Sequence, residues 1–109
     1  MFILTDENFE KEITDASKPI LVDFWASWCS PCLILGPILE KVVKGIEGKV
    51  ILTKVSTEAA PKACQKYGIE KIPTVVLFNK GKIISSFVGL RAEALIREWL
   101  EDALKENSD

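Results

Sequence analysis

The chain has 109 residues, 48% hydrophobic and 28% charged, with six Gly, five Pro, three Cys and no His. That length suits one domain, which buries roughly 65% of the unfolded surface and needs no disulfide framework or structural metal. A net charge of −2 without a basic stripe argues against nucleic-acid partners, and the lack of His excludes mechanisms that use an imidazole base or ligand.

Phe2–Leu4 reads as a short strand. Phe9, Ile13 and Ala16 mark a short helix after Thr5, its expected N-cap. The apolar run Pro19–Ala26, with Val22, Phe24 and Trp25, fits a fully buried strand. Leu35, Ile38, Leu39, Val42, Val43 and Ile46 mark a helix from about Pro31 to Ile46, which Pro37 is expected to kink. Val50–Val55 is a second β-rich run. Pro61–Tyr67 reads as a short helix with Pro near its start and Gly68 as its C-cap. Thr74–Phe78 and Ile83–Val88 flank Asn79-Lys80-Gly81-Lys82 and read as a hairpin. Ala92, Leu95, Ile96, Trp99, Leu100, Ala103 and Leu104 predict a closing amphipathic helix. Asn107-Ser108-Asp109 reads as a frayed tail.

The order βαβαβαββα places the chain in the α/β class, as a single domain over residues 1–109. Alternating strands and helices imply parallel pairing with right-handed crossovers, and the last hairpin adds an antiparallel edge. Helices on both faces account for strands that are apolar throughout. The longest uncharged run, Phe24–Leu39, has 16 residues and two prolines, which is short of the about 20 apolar residues of a spanning helix. Met1 to Glu7 lacks the basic start and long apolar stretch of a signal peptide. The expectation is a soluble cytoplasmic protein with no membrane partner.

Cys29-Ser30-Pro31-Cys32 follows a buried strand and opens a helix. A helix N-terminus carries partial positive charge and free N–H groups, so a thiolate there is stabilised. Cys29 is therefore the expected attacking sulfur, and Cys32, one turn deeper, can displace a mixed disulfide. A structural staple is an alternative, but so short a loop adds only about 2 kcal/mol. A zinc site is another, but only Cys64 offers a third sulfur, so no metal is expected. Cys64 itself reads as an inert packing residue.

The segment Phe24-Trp25-Ala26-Ser27-Trp28-Cys29-Ser30-Pro31-Cys32 resembles the active-site segment of the thioredoxin family. The likeness continues through Pro37, Lys54, Lys66-Tyr67-Gly68-Ile69, Ile72-Pro73-Thr74, Gly81 and Gly89, and so covers essentially the whole chain. It implies the thioredoxin fold, a central mixed five-stranded sheet with helices on both faces. It also implies a protein-disulfide reductase working by dithiol–disulfide exchange, with no cofactor beyond the Cys29–Cys32 pair. The implied partners are a thioredoxin-reductase-type electron donor and disulfide-containing substrate proteins, with the chain as a monomer.

The resemblance makes Cys29 the nucleophile and Cys32 the resolving thiol. Asp23 matches the family's buried acid, which helps move the proton of the second cysteine. Desolvation in Leu21-Val22-Asp23-Phe24 agrees, since it raises a carboxyl pKa; a solvent-facing Asp at a strand end is the alternative. Lys54 matches the lysine beside that acid, against an ordinary surface lysine. Ile72-Pro73-Thr74 resembles the family's cis-proline segment, whose backbone pairs with extended substrate. Trp28, Gly89 and Leu90 complete the implied apolar docking surface. Trp25 and Trp99 read as packing residues.

Four residues depart from the family pattern: Ser30 for Gly, Leu33 for a basic residue, Lys71 for a small one, and Ser56 for an acidic or amide residue. Ser30 bears on the reduction potential, Leu33 makes the rim more apolar, and Lys71 adds positive charge near the groove. Two other functions remain open on the sequence: a dithiol oxidant or isomerase, and a non-redox binding module on the same fold.

Overall fold

The apolar run at 20–25 forms a strand whose alternate side chains enter two different cores. In the computed structural model, which describes residues 2–46 and 48–106, the elements are β1 (Phe2–Leu4), α1 (Phe9–Asp15), β2 (Ile20–Trp25), α2 (Ser30–Lys44), β3 (Ile51–Ser56), α3 (Pro61–Lys66), β4 (Thr74–Asn79), β5 (Lys82–Val88) and α4 (Glu93–Glu106). The tail Asn107-Ser108-Asp109 lies outside the described residues.

The five strands form one sheet in the order β1-β3-β2-β4-β5. β1, β3 and β2 run parallel. β4 is antiparallel to β2, and β5 to β4. The antiparallel part thus begins at the centre of the sheet, beside β2, and extends to the β5 edge. Strand alternation sends Ile20, Val22 and Phe24 to a core with Phe9, Ile13, Ala63, Val76 and Phe78, under α1 and α3. Leu21, Val75 and Leu77 point the other way, to a core with Leu35, Leu39, Ile96 and Leu100 of α2 and α4. β2 and β4 therefore need apolar residues at successive positions, and both are almost wholly buried. That expectation does not extend to β3 and β5. β3 is partly covered, and the edge strand β5 leaves Lys82, Ile83, Ser86 and Val88 exposed.

Local chemistry sets the helix ends. α1 begins at Phe9, and Thr5 is not its cap: Asp6, Glu7 and Asn8 form a turn first. The Asn8 side chain accepts from the Thr5 N–H at 2.7 Å, and the Thr5 carbonyl accepts from the Phe9 N–H at 2.9 Å. Asp6 instead caps α3 from a distance, its two carboxylate oxygens accepting from the Lys62 and Ala63 N–H groups at 3.0 Å each. At the far end of α3, Ile69 N–H donates to the Cys64 carbonyl and Gly68 N–H to that of Gln65, a Schellman ending with Gly68 at φ 66°. In the β4–β5 turn, Lys80 and Gly81 both have positive φ, 54° and 83°. A side chain at Gly81 would meet the Thr14 hydroxyl 3.0 Å away, so the turn requires glycine there.

α4 buries Ile96, Leu100 and Ala103, with Trp99 and Leu104 packed alongside. Leu95, expected on the same face, is 58% exposed, and Ala92 precedes the helix. The buried line through 96, 100 and 103 leaves Leu95 on its solvent side. Trp99 packs edge-on against Phe87 and donates its Nε1–H to Ser85 at 2.9 Å.

Candidate active site

Cys29 ends the β2–α2 connection in an extended conformation and caps α2. Its Sγ accepts from the Cys32 N–H at 3.3 Å, the contact by which a helix terminus favours a negatively charged sulfur. Ser30 and Pro31 form the first turn, where the missing proline N–H costs nothing. Cys29 and Cys32 are joined in a disulfide. Both are nearly buried, at 4% and 3% exposure, and pack with Ala26, Trp25 and Ile72. Neighbouring Trp28 is 72% exposed.

Ile72 reaches this cluster from the loop before β4. The Ile72–Pro73 bond is cis. The Thr74 hydroxyl donates to the Lys71 carbonyl and closes the loop, and the Pro73 carbonyl accepts from the Gly89 N–H at 2.8 Å. That bond ties the end of β5, with exposed Leu90 following, to the loop beside the disulfide. The structure thus gathers Cys29, Cys32, Ile72, Pro73, Thr74, Gly89 and Leu90 at one end of the sheet.

Asp23 lies deeper, on the α2 side of β2, 1% exposed. Neither carboxylate oxygen has a hydrogen-bond partner, so no bond joins it to Cys32. Burial raises its pKa from 3.8 to about 6, and the positive charge of Lys54 partly opposes that rise. Lys54 pairs with Asp23 in the β2–β3 register. Its ammonium sits 5.3 Å from the Trp25 ring centroid, a cation–π contact. It also lies against Gly36, where an added Cβ would stand 3.1 Å from Nζ. Gly36 is one helical turn beyond Cys32, so Lys54 reaches under α2 close to Cys32.

Sequence reasoning did not single out Gly36 or Asp6. A glycine inside the helix, directly before Pro37, was the available signal for the first. Cys64 is free and partly buried among the α1–α3 core residues. Burial and the charge of Asp6 push its thiol pKa up, away from the reactive range. Among the described residues, no group of three or more His, Cys, Asp and Glu side chains is placed to hold a metal ion. No described helix is long and apolar enough to cross a membrane.

The thioredoxin family model matches residues 1–102. The chain is 41% identical over 101 residues to a thioredoxin of Chlorobaculum thiosulfatiphilum, covering 93% of this chain and 94% of that protein. It is 43% identical over 99 residues to a thioredoxin of Rickettsia bellii, covering 91% and 94%. It is 40% identical over 101 residues to thioredoxin 2 of Chlorobaculum tepidum, covering 93% of each. With the mixed sheet and the Cys29–Cys32 disulfide at a helix N-terminus, these matches place the chain in the thioredoxin family, as a disulfide oxidoreductase working by thiol–disulfide exchange.

Proposed function

We propose that the chain carries two electrons from a thioredoxin-reductase-type protein to disulfides of substrate proteins, as a single cytoplasmic domain and a monomer. The dithiol is its only redox group. The observation that carries this reading is the Cys29–Cys32 disulfide at the start of α2, beside the cis Ile72–Pro73 bond.

In the reduced protein, the Cys29 thiolate attacks one sulfur of a substrate disulfide. The Cys29–substrate bond forms, the substrate S–S bond breaks, and the leaving thiolate takes a proton from solvent. Substrate lies extended along Ile72-Pro73-Thr74, whose backbone offers strand-like pairing, and Trp28, Gly89 and Leu90 frame it. Cys32 then loses its proton to Asp23. A bridging water can carry the transfer. With a pKa of about 6, Asp23 is mostly ionised near neutrality and able to accept that proton. The Cys32 thiolate attacks the Cys29 sulfur, the Cys29–Cys32 bond forms, the Cys29–substrate bond breaks, and the second substrate sulfur leaves as a thiolate that takes a proton from solvent, while Asp23 gives up its proton to solvent. The substrate is reduced by two electrons and the chain is oxidised by two. Lys54 holds a positive charge under α2 and limits how far the Asp23 pKa rises.

The test is dithiothreitol-driven reduction of insulin. The wild type accelerates it and Cys29→Ser does not. Activity surviving in Cys29→Ser contradicts the proposal.

A further inference from the structure

Around the disulfide, the two lips of the site differ in kind. On the cis-proline side stand the exposed charged residues Glu70, Lys71 and Arg91. On the α2 side the chain itself carries no charge from Phe24 to Leu39, a run that covers the connection and the first ten residues of the helix, with Lys54 of β3 reaching beneath it at Gly36. Within it, Leu33 and Ile34 are 56% and 54% exposed. The Leu33 N–H donates to the Cys29 carbonyl at 3.2 Å, which places Leu33 one turn below the reacting sulfur. Pro37, one further turn along, is also exposed and uncharged. A helix that contributes Leu35 and Leu39 to the core has no packing reason to expose Leu33 and Ile34 as well. Contiguous exposed apolar surface of this kind marks an interaction site.

We propose that Leu33 and Ile34 form an apolar docking shelf that selects disulfide partners with apolar residues beside the attacked cysteine. The proposal rests on the thiol–disulfide exchange reading, and that reading supplies the occupant. A partner must bring its sulfur onto Cys29, so the partner's chain is what covers the adjoining turn of α2. Between the shelf and Trp28, which is 72% exposed, the chain also exposes the uncharged Ser30 and Pro31. Chain flanking the partner's disulfide leaves water when it settles on Leu33 and Ile34. Apolar flanks gain from that burial and polar flanks do not, by about tenfold in rate for the exposed halves of two such side chains.

The test uses two synthetic peptides, each closed by one disulfide, identical except that the residues flanking the cysteines are Leu and Val in one and Ser and Asn in the other. Prereduced protein is mixed with each, and the second-order rate is read from tryptophan fluorescence. The wild type reduces the apolar peptide at least about tenfold faster. In the double variant Leu33→Ser, Ile34→Ser that preference falls by about tenfold, with unchanged far-UV circular dichroism. Equal rates on both peptides in the wild type, or a preference changed less than about threefold in the variant, overturn the shelf and leave the redox reading intact. No oxidation by either peptide contradicts the redox reading itself. A wild-type dimer in sedimentation that the double variant abolishes, with no change in peptide preference, assigns the shelf to a second copy and also overturns the proposal.

Discussion

Asp23 and Lys54 face each other in the register of β2 and β3, yet no hydrogen bond reaches the Asp23 carboxylate. The Lys54 ammonium lies instead beside Trp25 and Gly36. Their coupling is one of charge acting across a buried space. Removing that charge in Lys54→Met takes away the influence that lowers the Asp23 pKa, so it rises above about 6. A carboxyl-carbon NMR titration of Asp23 reads the shift directly, and a pKa that stays or falls contradicts the arrangement.

Buried Asp23 also sets a pH dependence of stability. Its folded pKa, about 6, lies above its unfolded value of 3.8, so between these the folded state binds more protons. Its favourable contribution is complete below about pH 4 and is lost as pH rises through about 6. The difference amounts to about 3 kcal/mol. Asp23→Asn cannot titrate. Its stability relative to the wild type is expected to increase by about that amount between pH 4 and pH 8, in urea unfolding of the oxidised proteins. Parallel pH curves for the two would show that the carboxyl is not desolvated.

The proposed division of labour between the cysteines predicts a covalent signature. Cys32→Ser retains the nucleophile and loses the resolving thiol, so a mixed disulfide through Cys29 persists and appears in mass spectrometry as an adduct of one substrate chain. Cys29→Ser forms no such adduct at the same exposure. Adducts on Cys32 alone would reverse the assignment.

Asp6 follows β1 at the same end of the parallel strands as the β2–α2 connection, but its carboxylate serves α3. Its carboxylate caps α3 across 56 residues of chain. Asp6→Ala is expected to cost about 1 kcal/mol, and to lower Tm by about 4–8 °C. It also lowers the Cys64 pKa, which the Asp6 charge helps to raise. An unchanged melting curve would mean that water replaces the cap without loss.

The fold was legible where local pattern and tertiary demand coincide. The two central strands are continuous apolar runs because both faces of the sheet are covered, and the hairpin turn needs Gly81 against Thr14. Asp23 was legible for a similar reason: a lone acid in Leu21-Val22-Asp23-Phe24 has no route to solvent. Where distant groups compete, local pattern fails. Thr5 reads as a helix cap until Asp6 is seen to serve α3, 56 residues on, with a turn inserted before Phe9. Leu95 fits the helical period, yet the sheet takes only the line through Ile96, Leu100 and Ala103. Gly36 stands out as a glycine inside the helix before Pro37, but its role could not be read there, since it depends on a lysine arriving from β3.

The Cys29–Cys32 pair works as a reductant with Ser30 between the sulfurs, in place of the family's usual Gly. The most direct test is the reduction potential of the pair, from tryptophan fluorescence during equilibration with a thiol buffer. A value near about −270 mV is expected and places the chain among reducing thioredoxins. A value of about −180 to −120 mV belongs to isomerases and oxidants and would contradict the account.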